Sequence, residues 1–212
     1  DSGATADAVK AISSPTVLHF ATHGIFSPMQ STEIVSTQEF LPLRDELFFF
    51  TQTSPVILAN PMFFSGLALA GANKRNASGE IGILTAQEIS TLDLKGTELV
   101  VLSACETGLG KVKMGEEFAG LRRAFSIAGA ATQVTSLWKI SDYATCALMS
   151  HYYRLLLEGC GRVEALTKAQ KLVENDTEHP EWKHPYYWAA FVSSGSWEPM
   201  LDVLIPKKQP LE

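Results

Sequence analysis

The chain has 212 residues, 46% of them hydrophobic and 19% charged, with a net charge of −6. That length and apolar share suit one large globular domain or two small ones with a sizeable core. The acidic balance argues against direct nucleic-acid binding, because phosphate contacts need clustered Lys and Arg. Three cysteines, Cys105, Cys146 and Cys160, are odd in number and lack CxxC spacing. They predict reduced thiols in a cytoplasm, with no disulfide framework, zinc site or other metal cofactor. No apolar run reaches transmembrane length and no signal peptide opens the chain, so no membrane partner is expected. The abrupt ends at Asp1-Ser-Gly and Lys207 to Glu212 read as the edges of a piece of something longer.

Alanines and apolar residues at helical spacing predict a helix over Ala4 to Ile12, stopped by Ser13-Ser14-Pro15. Thr16 to Ala21 reads as a strand, followed by Thr22-His23-Gly24. Gly24 permits a tight turn there, with its N–H free to face a ligand. His19 lies within the strand and reads as a packed or hydrogen-bonded core residue. His23 stands at the strand's end, where a core role and a functional one are both open. Residues 25–61 carry Ser27-Pro28, Pro42, Ser54-Pro55 and the apolar Leu47-Phe-Phe-Phe50. They read as a long insertion or lid within the domain.

Ser65 to Ala72 and Ile81 to Leu84 read as the two arms of a hairpin. Thr85-Ala-Gln-Glu88 has the form of a capping box opening a short helix. Leu99 to Leu102, an apolar run between Gly96 and Gly108, predicts a buried parallel strand. It ends in Ser103-Ala104 and delivers Cys105 to the carboxyl end of a strand, where open α/β sheets bind ligands. Cys105 reads either as a small buried hydrophobe or as a thiol favoured by the dipole of a helix starting near Gly115. Glu116 to Ala128 is predicted helical, Ala130 to Leu137 a strand. A helix capped by Ser141 or Asp142 follows, running to about Glu158. Val163 to Val173 is a further helix, and Tyr187 to Ser193 a last strand closed by Gly195. This alternation predicts an α/β domain with a mostly parallel sheet and helices on both faces.

If the strands of His23 and Cys105 are neighbours, the pair allows thiol nucleophilic catalysis. The imidazole takes the thiol proton and later protonates the leaving amine. The N–H groups of Gly24 and Cys105 are candidate oxyanion donors. Glu106 would raise the thiol pKa if it faced the site, and reads as structural or solvent-facing.

Phe20-Ala-Thr-His-Gly24, Ser65-Gly-Leu-Ala-Leu-Ala70, Leu99 to Gly108, Ser136-Leu-Trp138 with Asp142, and His184 to Phe191 together resemble the CHAT domain. This is a caspase-like peptidase module often joined to tetratricopeptide repeats. The likeness runs in order from about Ala4 to Trp197. It implies a caspase–separase fold for the single domain of residues 1–212. The chain starts late against the family pattern, which puts an N-terminal subdomain in question. The resemblance implies a Cys–His dyad, with His23 as base, Cys105 as nucleophile and Gly24 as oxyanion donor. It also implies a protein or peptide substrate and a fused or separate tetratricopeptide-repeat regulatory region. In such a fold the stretch Ser136 to Asp142 commonly lines the pocket for the residue before the scissile bond. Trp138 is then a pocket wall or a core residue. Asp142 accepts a Lys or Arg side chain or caps its helix. Gly115-Glu-Glu departs from the family's more frequent Gly-Glu-Gly. A catalytically silent interaction module is the competing reading.

Overall fold

The computed structural model describes residues 3–26, 62, 65–72, 82–103, 105–106 and 116–200. The insertion expected over 25–61 lies, past Phe26, outside the described residues, as does the loop of residues 107–115. Five helices and eight strands are described: α1 Ala6–Lys10, β1 Val17–Phe20, β2 His23–Phe26, β3 Ser65–Ala68, β4 Ile83–Thr85, α2 Ala86–Ile89, β5 Leu99–Leu102, β6 Cys105–Glu106, α3 Glu116–Ala128, β7 Thr132–Ser136, α4 Asp142–Leu157, α5 Arg162–Glu174 and β8 Phe191–Gly195. The fold is α/β, as expected.

The main sheet has the order β1-β5-β7-β8 and a second sheet the order β4-β3-β2-β6. Strands β1, β5 and β7 run parallel, and β2 runs parallel to β6. The pairs β2–β3, β3–β4 and β7–β8 are antiparallel. The main sheet is thus mostly parallel, with β8 antiparallel at its edge, and the second sheet is mixed. In the last segment Pro180–Lys183 and Pro185–Tyr187 form 3-10 turns. Tyr187 is thus not the start of a strand, and β8 begins only at Phe191. Pro185 fixes its own φ, and His184 Nδ1 accepts the Tyr186 N–H at 3.2 Å, which holds the turn closed.

All four residues of β5 are fully buried. The pleat sends them alternately to two cores. Leu99 and Val101 pack with Leu148 and Tyr152 of α4 and Ala165, Leu166 and Ala169 of α5. Val100 and Leu102 pack with Val9 of α1, Ile89 of α2 and Leu121 and Phe125 of α3. Helices on both faces explain why the run carries no polar alternation. Each such side chain contributes about 1.5–3 kcal/mol. Helix α4 forms because Leu148, Tyr152, Leu155 and Leu156 make one buried stripe at helical spacing.

The predicted capping box is present. Glu88 N–H donates to Thr85 Oγ1 at 3.2 Å, and Thr85 N–H donates to a Glu88 carboxylate oxygen at 2.9 Å. No helix among the described residues is long and apolar enough to cross a membrane.

Candidate active site

The two candidate dyad residues are joined by register. Val17 faces Leu99 and Phe20 faces Leu102 across β1 and β5. His23 faces Cys105 and Gly24 faces Glu106 across β2 and β6. Every pair has the same offset of 82 residues. The two sheets therefore share one long strand pair, interrupted at Ala21-Thr22 on one side and before Cys105 on the other. The pairing of β1 with β5 sets the register upstream. The continuation carries that register to His23 and Cys105. Adjacent strands lie about 4.8 Å apart, so the two Cα positions are direct neighbours.

The strand does not stop before His23. The chain stays extended because β3 supplies β2 with an antiparallel partner, His23 facing Ala68 and Gly24 facing Leu67. Thr22 Oγ1 also donates to the Ala68 carbonyl, tying the interruption to β3. Gly24 thus lies buried inside β2, between Leu67 and Glu106, and the tight turn expected there is not formed. His23 is exposed.

His19 makes hydrogen bonds through both ring nitrogens, as expected of a satisfied histidine, although it keeps an exposed side. Nε2 lies 3.2 Å from Ser103 Oγ and Nδ1 lies 2.8 Å from the Tyr153 hydroxyl. Desolvation lowers its pKa, which favours the neutral ring. Burial pushes the Tyr153 hydroxyl up to about 12, so it stays a proton donor at neutral pH. Nothing in the local pattern singles out Ser103 or Tyr153. Tyr153 stands beside the buried stripe of α4, and its partner lies 134 residues away.

Because β1, β5 and β7 are parallel, His23, Cys105 and the segment from Leu137 to Asp142 all leave the main sheet at its carboxyl edge. Trp138 is half-buried against the core of α4 and α5, and its Nε1–H donates to the Tyr186 carbonyl at 3.1 Å. Asp142 is the first residue of α4. Ser141 stands at the N-cap, with no side-chain hydrogen bond to the helix. The Asp142 carboxylate is stabilised by the helix's positive end. It also lines an open groove of about 630 Å³ with Lys139, Tyr143, Glu181, Trp182 and Tyr186. Trp182 forms its floor, stacked on the His179 ring at a centroid distance of 3.9 Å. Cys146 and Cys160 are free thiols. Among the described residues no group of three or more His, Cys, Asp or Glu could hold a metal ion.

A mixed α/β sheet with a histidine and a cysteine on paired strands at its carboxyl edge is an arrangement suited to thiol chemistry. The chain belongs to the CHAT domain family, whose profile matches residues 1–196. This is a caspase-like peptidase family. Two curated relatives share 114 aligned residues, 54% of this chain. Tetratricopeptide repeat protein 28 of Mus musculus is 32% identical there, and the protein of the same name from Homo sapiens is 34% identical. The aligned stretch spans 4% of either relative's length.

Proposed function

We propose that this domain is a cysteine endopeptidase with His23 as the base and Cys105 as the nucleophile. The observation that carries the reading is the register pairing of His23 with Cys105 on adjacent parallel strands. In this mechanism the imidazole removes the thiol proton and the thiolate attacks the scissile carbonyl carbon. The Cys105 N–H stabilises the resulting oxyanion, joined by the Gly24 N–H, which the family resemblance names as a donor, once it is released from the pairing of β2 with its neighbours. The imidazolium gives its proton to the leaving amine, and the C–N bond breaks to leave a thioester. Water, deprotonated by the same imidazole, hydrolyses the thioester and restores the thiol.

The residue before the scissile bond is a Lys or Arg in this reading. The carboxylates of Asp142 and Glu181, with the rings of Tyr143 and Tyr186 beside them, suit a cationic side chain. Trp138 backs this pocket. The protein substrate is cut in the cytoplasm, under restraint by a fused or separate tetratricopeptide-repeat region, a reading supported by the names of the two relatives.

The test is alkylation of Cys105 by iodoacetamide at neutral pH, followed by substrate trapping with Cys105→Ala. Cys105 is expected to label faster than Cys146 and Cys160, and His23→Ala to remove the difference. Proteins captured by Cys105→Ala should be cut by the wild-type chain after Lys or Arg. Asp142→Asn should lower kcat/KM for those sites. Labelling of Cys105 no faster than the other two thiols would favour a silent interaction module instead.

A further inference from the structure

The shared register of the two sheets has to cross an interruption in the ladder between Phe20 and His23 on one strand, and between Leu102 and Cys105 on the other. The groups that bridge it are specific. Ser103 N–H donates to the Phe20 carbonyl at 3.0 Å, and Ser103 Oγ lies 3.3 Å from the same oxygen. Ser103 Oγ is also 3.2 Å from His19 Nε2. On the far side of that ring, His19 Nδ1 is 2.8 Å from the hydroxyl of Tyr153 in α4. The two rings are themselves in tilted contact, with centroids 5.8 Å apart.

One assignment of protons satisfies every contact. The Tyr153 hydroxyl donates to Nδ1, which leaves the ring proton on Nε2. Nε2–H donates to Ser103 Oγ, and the Ser103 hydroxyl proton goes to the Phe20 carbonyl. The chain of donors then runs one way, from α4 through β1 to the end of β5, with no atom asked to donate and accept the same bond. The reverse assignment would send the Ser103 proton to Nε2 and lose the bond to Phe20.

We infer that Tyr153, His19 and Ser103 form a positioning chain that holds the register at which His23 and Cys105 meet. The inference rests on the dyad reading of His23 and Cys105 for its consequence in catalysis, but not for its geometry. Ser103 is two residues before Cys105 and His19 four before His23, so the chain grips both strands just upstream of the pair. Without it, the bond that remains across the interruption among the described residues is that from the Ser103 N–H to the Phe20 carbonyl, with Thr22 tied to Ala68 of β3 beside it. The separation of His23 from Cys105 would then fluctuate, and the reaction is sensitive to displacements near 1 Å, which cost on the order of 100-fold in rate.

The experiment compares wild type with Ser103→Ala, Ser103→Thr, Tyr153→Phe and His23→Ala. Each is read by Cys105 alkylation against pH, by hydrogen exchange of the amides of residues 23–26 and 105–106, and by thermal melting. Tyr153→Phe keeps the ring and its packing, so it separates loss of the hydroxyl from loss of fold. The expected result is exchange at least about tenfold faster at those amides in Ser103→Ala and Tyr153→Phe, with the amides of α5 unchanged. Cys105 alkylation should fall about tenfold or more in the same two variants and recover in Ser103→Thr, which restores the hydroxyl.

Unchanged exchange in both variants would overturn the positioning chain. So would wild-type alkylation rates in both, if His23→Ala lowers that rate in the same assay. A wild-type Cys105 insensitive to His23→Ala would overturn the dyad reading, while the exchange measurement still decides the chain. Covalent labelling of Ser103 by a fluorophosphonate would also overturn it, because Ser103 would then be a nucleophile whose proton goes to His19.

Discussion

Strand β5, which leads toward Cys105, is anchored at its other end by a buried ion pair, and removing it tests the packing argument. Arg162, the first residue of α5, is only 4% exposed. Its guanidinium bonds the Glu98 carboxylate just before β5, and its Nη1 donates to Thr132 Oγ1 at the start of β7, at 3.2 Å. The Glu98 side chain is 15% exposed. Arg162→Met takes the guanidinium away from a largely buried carboxylate, a loss of about 3–5 kcal/mol for one partner of such a pair. The bond to Thr132 adds about 1 kcal/mol. Against this, Arg162 Nε is buried with no hydrogen-bond partner among the described residues, so its removal returns about 1–3 kcal/mol. The net destabilisation is about 3 kcal/mol. At about 2–4 °C per kcal/mol for a domain of this size, the melting temperature should fall by about 6–12 °C. Urea unfolding and calorimetry measure both quantities. The double variant Arg162→Met, Glu98→Gln, which removes the carboxylate charge but keeps an acceptor, should recover at least half of the loss. An Arg162→Met variant within 1 kcal/mol of wild type, or a double variant no more stable than the single one, would refute the reasoning.

Gly195 ends β8 at φ 107°, and a Cβ there would run into the Ala131 carbonyl oxygen. Gly195→Ala should therefore destabilise by more than the ~1 kcal/mol that separates these residues on propensity alone, read by urea unfolding. Thr85→Ala removes the cap of α2 and should cost about 1 kcal/mol, or about 2–4 °C in melting temperature. His19 titrates lower in the fold than its ordinary value of 6.5, through desolvation. Its protonation thus favours the unfolded chain, which binds the proton more tightly. Its contribution to stability is full above pH 6.5 and is lost as the pH falls below that toward the folded value. His19→Asn should accordingly lose less stability than wild type between pH 7 and pH 5, and equal losses in the two proteins would contradict the desolvation argument.

What the sequence makes legible here is what its short-range chemistry determines. The capping box at Thr85 and Glu88 spans three residues and involves no other part of the chain. The apolar run of β5 announces burial on both faces. The stripe of α4 announces one packed side. Each of these is present as read. The readings that failed depended on a distant partner, or on a nearby turn that outweighs a residue's own strand preference. Thr22-His23-Gly24 carries turn residues, but it stays extended because β3 lies alongside, and β3 is reached only after a long intervening segment. Tyr186, Tyr187 and Trp188 have strand-forming side chains, yet Pro185 and the His184 cap close a 3-10 turn first. Asp142 and Ser141 both have capping side chains, yet the Ser141 side chain makes no cap bond, and Asp142 faces a groove whose other wall comes from residues 179 to 187.

The same distinction bears on the candidate dyad. The sequence offers His23 and Cys105 as two strand-end residues, conditional on neighbouring strands, and it cannot supply the offset of 82 residues that pairs them. That offset is a property of the core. Leu99 to Leu102 bury alternate side chains against α4 and α5 on one face and against α1, α2 and α3 on the other while paired in register with Val17 to Phe20. Once it is set, the partner of His23 is determined three residues further on. Substitutions deep in β5 that leave both His23 and Cys105 untouched should therefore reach the thiol's reactivity through register before they unfold the domain.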